Sequence, residues 1–363
     1  MHRARRTVLT TCLTTLMLGA AACSGDDAAS GSVELTATNL LPPNDAQSEM
    51  IQWFMDELEA RTDGEVRTEV VHAGALLPGA DTLPGLQQGR ADAGNVVHAY
   101  FPAELPLHNV NVVPVEGDQS ARLRAFQDTS DGVEAWRDEL AAYDLMLVGF
   151  LPNTSSTVTF NSDVASLAEV DGTKIRVPSQ TVASVWEEFG VEPIFMPSEE
   201  VYEAVERGIV DGTLYPMGTQ ISTGITDVAK VMAPDVGQNG AGTFAFTVSA
   251  YDDLSDDAKE VFEDLQGEWY DKADELLTKY ETEACEEFLA SGGTVVLWSD
   301  AEQAQLAEAR PVATDVWRQS AIDAGADSGA VDEVWDTFST AVDAHAGQSE
   351  YRDGLATCAE SQE

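Results

Sequence analysis

The amino-acid sequence predicts an α/β protein with two lobes, in which each lobe is a mostly parallel sheet with flanking helices. Strand and helix patterns alternate through residues 174–215, which is typical of parallel sheets covered by helices. The chain of 363 residues is also longer than one hydrophobic core usually covers. Finally, residues 86–99 and 205–215 share one pattern, a helix that ends at glycine, then two residues, an aspartate and a new strand. Two similar lobes would explain this repetition, although the pattern also arises by chance in α/β proteins.

The N-terminal part of the chain predicts strands separated by helices. Residues 33–39 alternate between apolar and polar side chains, which indicates a strand, and Asp45 is suited to cap the helix that follows. One face of that helix carries Ile51, Phe54, Met55 and Leu58. A further strand is expected at residues 66–71, and residues 143–150 form a buried apolar run.

The central segment places an arginine at the end of a predicted strand. Residues 174–177 form that strand, and Pro178 and Ser179 then open a helix that ends at Gly190. A second helix is expected at residues 199–207 and a strand at residues 209–215. Ligands of parallel sheets bind at the carboxyl ends of the strands, near helix N-termini, which is where Arg176 would lie. A guanidinium can hold a carboxylate there through two hydrogen bonds, but the position alone fits a structural arginine paired with an acid equally well.

The C-terminal part predicts one strand, a long helix and then shorter elements. Residues 243–249 form the strand, which returns to the first lobe, and residues 255–290 form the long helix. A further strand at residues 295–298 and two or three helices complete the chain. Core positions at helical spacing in the long helix are Val261, Leu265, Trp269, Leu276, Tyr280, Ala284 and Phe288.

The motifs between residues 171 and 216 resemble those of one protein family. A Lys-Ile-Arg-x-Pro strand, a Gly-x-x-Pro-x-x-Met-Pro connection, a Glu-Val-Tyr helix and a Gly-x-Val-Asp-Gly turn follow in order. This segment resembles the extracytoplasmic solute-binding proteins of TRAP transporters, the tripartite ATP-independent periplasmic family that feeds organic acids to a secondary permease. The matching residues are Lys174, Ile175, Arg176, Pro178, Gly190, Pro193, Met196, Pro197, Glu200, Val201, Tyr202, Gly208, Val210, Asp211 and Gly212. The likeness is weaker upstream through residues 61–92 and concerns only the organisation beyond residue 250.

Two departures from the family pattern bear on the ligand. Many members have a second arginine in the strand before the Arg176 strand, but residues 153–162 contain no basic residue. Tyr215 stands where the family usually has an asparagine after Val-Asp-Gly. A single arginine beside a tyrosine favours a monocarboxylate, or a larger and partly apolar acid, over a dicarboxylate.

The resemblance implies a clamshell fold like that of periplasmic binding proteins, with the long helix bridging both lobes. Lobe I would comprise residues 33–152 and 243–282, and lobe II residues 153–242 and 283–363. The partners would be a small organic acid and the TRAP membrane permease subunits, with no cofactor, metal or catalysis. Candidate ligand-binding residues are Arg176, Tyr215, Asn39, Tyr100, Phe150, Asn153 and Met217, with Asn44, His98, Phe101 and Trp186 as further candidates. The aromatic candidates also fit ordinary core positions, and His98 also fits a role in satisfying loop backbone groups.

The N-terminus is typical of an exported lipoprotein. Three arginines precede an apolar run and small residues up to Ala22, so residues 1–22 are predicted to be a signal peptide. Small residues directly before Cys23 resemble a lipobox, which predicts a lipidated Cys23, a flexible tether at residues 23–32 and a location at the outer face of the cytoplasmic membrane. Cleavage after an alanine by ordinary signal peptidase is the alternative.

Two of the four cysteines remain after this assignment, because Cys12 lies in the signal peptide and Cys23 is expected to carry lipid. In an exported protein the remaining Cys285 and Cys358 most simply form a disulfide. A metal site or a nucleophile is the alternative, but neither cysteine has a CxxC spacing or a neighbouring histidine.

Composition and motifs limit the possible functions. The net charge of −45 argues against binding to nucleic acids or anionic membranes, because both require basic patches. No nucleophile elbow, HExxH motif or phosphate-binding glycine loop occurs, although abundant carboxylates leave a secreted glycosidase open. A binding lipoprotein of an ATP-driven importer or of a sensory system is the other alternative.

Overall fold

The structure is a computed structural model, and it describes residues 32–237, 240 and 242–362. The predicted signal peptide of residues 1–22, the lipidated Cys23 and nearly all of the predicted tether lie outside the described residues. The strands are β1 (Val33–Thr38), β2 (Val66–Val71), β3 (Ala93–Val96), β4 (Leu145–Phe150), β5 (Ser156–Phe160), β6 (Lys174–Val177), β7 (Glu192–Phe195), β8 (Gly212–Pro216), β9 (Val231–Pro234), β10 (Thr243–Thr247) and β11 (Thr294–Val295). The helices are α1 (Ala46–Arg61), α2 (Thr82–Gln87), α3 (Gln119–Gly132), α4 (Glu134–Ala141), α5 (Gln180–Glu187), α6 (Val201–Glu206), α7 (Met217–Ser222), α8 (Ile225–Val228), α9 (Val248–Asp252), α10 (Asp256–Ala290), α11 (Asp300–Ala309), α12 (Pro311–Asp323), α13 (Ser328–His345) and α14 (Gly354–Gln362).

The strands form two sheets, which confirms the predicted two-lobed α/β fold. The first sheet has the order β2-β1-β3-β10-β4, and the second has the order β11-β9-β5-β8-β6-β7. Neighbouring strands are parallel in β2-β1-β3 and in β8-β6-β7. Both sheets are mixed rather than mostly parallel, because β10 in the first sheet and β5 in the second are antiparallel to both of their neighbours.

Strand β7 was missed by the sequence analysis, which placed two helices in succession after the Arg176 strand. It is an edge strand that pairs with β6 alone, and Pro193 lies within it. Proline is tolerated at an edge because no second ladder needs its missing N–H group. The predicted strand at residues 295–298 is shorter than expected, since only Thr294–Val295 pairs and Ser299 already caps α11.

Helix α10 bridges the two sheets as predicted. Ser255 caps its N-terminus by accepting a hydrogen bond from the Ala258 amide. Phe262 and Trp269, in its first half, belong to the core under the first sheet, whereas Phe288, near its end, packs with residues of the second lobe. The helix lies so close to β4 that a Cβ atom at Gly149 would be 2.4 Å from Nε1 of Trp269, and this close approach requires the glycine.

Helix α13, in the C-terminal part of the chain, packs on the side of the first sheet. Helix α13 lies against α3, and its apolar side chains Val331, Val334 and Phe338 belong to the core under the first sheet. The sequence-based division assigned residues 283–363 to lobe II. The lobe boundaries therefore stay a prediction, and here the two lobes are described by their sheets.

A disulfide joins the end of α10 to the last helix. Cys285 on α10 and Cys358 on α14 are bonded, with their Cα atoms 5.3 Å apart. Both side chains are buried in a small apolar cluster with Met217, Met232 and Phe288. The bond confirms the predicted cysteine pairing and ties the C-terminal segment to the bridging helix.

Removal of this disulfide is expected to lower the free energy of unfolding by about 2 to 5 kcal/mol, because the bond restricts the unfolded chain across a separation of 73 residues. Urea unfolding of the double variant Cys285→Ser/Cys358→Ser measures the effect. Wild-type protein under reducing conditions should match the variant. Equal stability of the oxidised wild type and the variant would contradict this role of the bond.

A buried carboxyl group lies where the chain passes from the first sheet to the second. Glu281 of α10 is 2% exposed, and its oxygens accept hydrogen bonds from the Ser155 amide at 2.6 Å and the Gly354 amide at 2.9 Å. The Tyr351 hydroxyl also donates to it. Burial raises the pKa of Glu281 to about 8, and the nearby Asp353 adds to this effect. This side chain thus connects the crossing segment, the bridging helix and the C-terminal segment.

Glu281 should make the protein less stable as the pH rises. Its pKa in the folded protein exceeds the ordinary value of 4.5, so its contribution to stability is complete below about pH 4.5 and is lost as the pH rises through about 8. Between these values the free energy of unfolding should fall by up to about 1.4 kcal/mol per pH unit because of this group. Denaturant unfolding from pH 5 to 9 should show a flatter profile for Glu281→Gln than for wild type.

The control for this experiment is Glu286→Gln, which removes an exposed carboxylate from the same helix. Its profile should follow that of the wild type. Parallel profiles for all three proteins would show that Glu281 does not titrate in this range.

Candidate functional site

The candidate site is a small cavity at the carboxyl ends of the parallel strands β6 and β8. Arg176 lies near the end of β6 and Tyr215 near the end of β8. The two strands are adjacent and in register, with Arg176 opposite Thr213, so both side chains reach the same edge of the second sheet. Segments that follow strands of the first sheet cover this edge. The lining residues are Leu40, Leu41, Gln47, Val97, Tyr100, Asn153, Arg176, Pro178, Leu214, Tyr215, Pro216, Thr219 and Gly240, around a volume of about 40 Å³.

Arg176 is a buried cation whose contacts are to neutral groups. Its side chain is 2% exposed. Nε donates to the Met196 carbonyl at 3.1 Å, Nη1 donates to the Leu214 carbonyl at 3.2 Å, and the guanidinium carbon lies 4.6 Å from the centre of the Tyr215 ring. None of the ion pairs between described residues includes Arg176. The site therefore presents a desolvated positive charge to its cavity.

Two tyrosines and a serine form a hydrogen-bonded chain beside the guanidinium. The Tyr215 hydroxyl donates to Oγ of Ser198, and the Ser198 amide donates to the Tyr100 hydroxyl at 3.1 Å. Burial raises the pKa of both tyrosines, so both remain neutral at physiological pH. Because Tyr100 follows β3 of the first sheet, this chain of hydrogen bonds crosses between the two lobes.

Further hydrogen bonds hold the two sides of the cavity together. The buried Asp45 carboxylate accepts from the Thr219 hydroxyl at 2.9 Å and from the Ser222 hydroxyl at 3.0 Å, both on α7. It also caps α1 by accepting from the Gln47 amide. At another point, Oε1 of Glu199 accepts from the Gly79 amide at 2.8 Å. The structure is thus a closed arrangement of the two lobes.

The structure brings four of the seven candidate ligand-binding residues to the cavity: Arg176, Tyr215, Tyr100 and Asn153. Asn39 lies behind it, where its side chain donates to Oγ of Ser48 at 2.6 Å and accepts from Asn95. Phe150 packs in the core under the first sheet, and Met217 packs beside the disulfide. These three side chains therefore do not line the cavity in this structure.

The further candidates also lie away from the cavity. Phe101 and Trp186 are core side chains, and Nε1 of Trp186 donates to Asp235 at 3.0 Å. His98 is fully buried and forms a hydrogen bond with Oγ1 of Thr243, and Asn44 is exposed.

Sequence analysis missed several residues that line or close the cavity. Leu40 and Leu41 follow β1, and Gln47 lies in the first turn of α1, where its side chain donates to Oδ1 of Asn153 at 2.5 Å. Asp45 was identified only as a helix cap. The proline-rich turn after β1 and the helix start that follows it were the available signal, since first turns of helices often face ligands in such sheets.

The described residues include no group of three or more His, Cys, Asp or Glu side chains that could hold a metal ion. Within the same part of the chain, no helix has the length and apolar character needed to cross a membrane.

Comparison with known proteins identifies the family. Residues 37–322 match the pattern of the bacterial extracellular solute-binding proteins, family 7. The chain belongs to this family. It is therefore a bacterial solute-binding protein of the kind that works outside the cytoplasm. The resemblance seen in the central motifs is confirmed.

Three similar proteins illustrate the relationship. The ectoine-binding periplasmic protein TeaA of Halomonas elongata is 24% identical over 260 residues, which cover 70% of this chain and 74% of that protein. A TRAP periplasmic solute-binding protein from Desulfovibrio salexigens, solved with orotic acid, has a TM-score of 0.75 at 18% identity and covers 85% of this chain and 100% of its own. A marine metagenome TRAP protein specific for aromatic acid ligands has a TM-score of 0.75 at 22% identity, covering 85% and 99%.

Asp45 should contribute to ligand affinity through closure of the lobes. Asp45→Ala removes the buried acceptor of two interlobe hydrogen bonds, so the closed form loses stability relative to the open form. We expect affinity for the tightest-binding member of a panel of organic acids to fall by about 5- to 30-fold, measured by calorimetry.

Asp118→Ala is the matched control, because Asp118 caps α3 in the same way, through the Ala121 amide. Its affinity should equal that of the wild type. A loss of similar size in both variants would assign the effect to helix capping instead of closure.

Proposed function

We propose that this solute-binding protein captures a small organic acid by binding its carboxylate to Arg176 in the interlobe cavity, and passes the acid to a TRAP membrane permease. The observation that carries the proposal is the buried Arg176 guanidinium, which has no ion pair among the described residues. The chain contains 64 Asp and Glu residues, so acidic side chains are abundant and yet none of those described pairs with this charge.

A buried charge without a counter-ion is costly, because burial removes its hydration and nothing replaces it. The two backbone carbonyls and the Tyr215 ring compensate this cost only in part. The hydrogen bonds use Nε and Nη1, whereas Nη2 forms none with the described residues. A ligand carboxylate would supply both a counter-charge and an acceptor for Nη2 and for the second hydrogen of Nη1.

The lining of the cavity favours a single carboxylate. Among the lining residues that the structure describes, Arg176 is the one cationic side chain, and Leu40, Leu41 and Leu214 add apolar surface. A second carboxylate would be desolvated there without a partner. Asn153 and Gln47, which are hydrogen-bonded to each other, keep this part of the lining polar but uncharged. Related proteins bind orotic acid and aromatic acids, both of which combine a carboxylate with a ring.

The N-terminal sequence completes the proposal. A protein that serves a membrane permease from outside the cytoplasm benefits from being held close to it, which a lipid on Cys23 would provide. Mass spectrometry of the membrane-extracted protein tests this point, because a lipidated Cys23 at the new N-terminus and a peptide that begins after an alanine differ in mass.

Replacement of Arg176 should abolish ligand binding. Arg176→Ala removes the group that binds the carboxylate, so we expect its affinity to fall by at least about 100-fold. Arg176→Lys keeps the positive charge but loses the two parallel N–H donors that bind both carboxylate oxygens, so we expect its affinity to fall by at least about 10-fold. Isothermal calorimetry with the tightest-binding carboxylate of the panel measures both.

Arg122→Lys is the matched control for this experiment. Arg122 is also buried, and it also donates to backbone carbonyls, those of Val115, Gly117 and Gly237, but it does not line the cavity. This variant should lose stability without losing affinity. Unchanged affinity in Arg176→Ala would overturn the proposed anchor.

A further inference from the structure

We propose that an apolar groove next to the cavity receives the body of the ligand, so that the bound acid is a monocarboxylate with an apolar group such as a ring. This inference rests on the proposed function, since it takes the carboxylate to be at Arg176. The groove lies between loops of both lobes and helix α12, and it has a volume of about 610 Å³. Its walls include Pro106, Phe195, Met196 and Trp317.

The inner cavity beside Arg176 is small. Its volume of about 40 Å³ is a small fraction of the 610 Å³ of the groove, so in the closed structure the cavity has room for a small group such as a carboxylate. The remaining atoms of an organic acid must therefore extend into a neighbouring space or force the lobes apart, and the groove offers about 610 Å³.

The inner cavity and the apolar groove are neighbours that share part of their walls. Tyr100 and Pro178 line both the cavity and the groove. Met196 contributes to the groove wall, while its carbonyl accepts a hydrogen bond from Nε of Arg176. A chain of atoms that starts at the guanidinium thus needs to pass only the Tyr100 ring to enter the groove.

The Tyr100 ring is the partition between the two spaces. Its hydroxyl accepts a hydrogen bond from the Ser198 amide, and its ring lies against Gly79, where a Cβ atom would be 2.8 Å from Cε2 of the ring. Because Gly79 has no side chain, the Tyr100 ring can occupy this position. Rotation of this one side chain, with loss of its hydrogen bonds to the Ser198 amide and to the Tyr215 side chain, would join the cavity to the groove.

The lining of the groove is suited to an uncharged, apolar group. None of the described residues that line it is charged, although 23% of the chain is Asp, Glu, Lys or Arg. Phe195 is 51% exposed at its edge, and the Trp317 ring is fixed by a hydrogen bond from Nε1 to the Pro106 carbonyl at 3.0 Å. An uncharged apolar group loses little by entering such a space, whereas a second charge would lose its hydration.

Butyrate and 4-phenylbutyrate test the inference as a pair, because they share the carboxylate and the chain and differ by the ring. Binding is measured by calorimetry or by competition. Wild-type protein should bind 4-phenylbutyrate at least 10-fold more tightly than butyrate. Ser320→Trp places a bulky side chain on the exposed face of α12 that lines the groove, and it should remove at least 10-fold of the affinity for 4-phenylbutyrate while changing that for butyrate by less than twofold.

Gln319→Trp is the matched control, since Gln319 is the exposed neighbour of Ser320 and does not line the groove. It should bind both acids as the wild type does. Equal wild-type affinities for the two acids, or no effect of Ser320→Trp on 4-phenylbutyrate, would overturn the inference.

The outcomes separate the inference from the proposed function. Binding that needs Arg176 but is insensitive to Ser320→Trp rejects the groove alone, whereas a complete lack of carboxylate binding rejects the proposed function and the groove together. If Ser320→Trp binds both acids normally but fails in uptake with the permease subunits, the groove is a docking surface for the permease and the inference is wrong.

Discussion

A positive charge buried between two lobes is the constraint on which the site depends. Arg176 is almost fully enclosed, and its hydrogen bonds go to the backbone carbonyls of Met196 and Leu214. These groups orient the guanidinium without neutralising it. A carboxylate that enters the cavity therefore gains more than it would at an exposed arginine, because both charges are withdrawn from water and the interaction between them is less screened. The burial that destabilises the uncompensated Arg176 charge in the free protein thus also strengthens the binding of an anion.

The rest of the fold holds the surroundings of this charge in place. Strands β6 and β8 fix Arg176 and Tyr215 at one sheet edge, and the capped start of α1 places Asp45 against α7 from the other side. Outside the cavity lining, Glu281 and the disulfide of Cys285 tie the crossing segment and the C-terminal segment to α10. Closure between lobes that share such a bridge is a shift of population toward the form that fits the ligand better.

The sequence predicted the features that depend on local patterns. The strand–Arg176–helix arrangement, the Asp45 cap, the long α10 and the cysteine pair all follow from short-range signals or from simple chemistry. It did not predict which side chains meet across the lobes, because that depends on the angle between two sheets. Phe150 illustrates the difference, since its position after a buried strand fits a ligand wall and a core equally well, and packing against Phe126 decides for the core.

The surface charge of this solute-binding protein does not oppose its function. A net charge of −45 repels anions at a distance, but at about 0.15 M salt exposed charges are screened beyond roughly 8 Å. Inside the cavity the single cation dominates. The most direct test of that statement is thermal unfolding of the protein with organic acids and with their uncharged primary amides. Acids near a thousand times their dissociation constant should stabilise the protein by about 4 kcal/mol and raise the unfolding temperature by several degrees, while the matching amides should leave it unchanged. Equal shifts with acids and amides, or shifts with neutral sugars alone, would contradict a carboxylate anchored at Arg176.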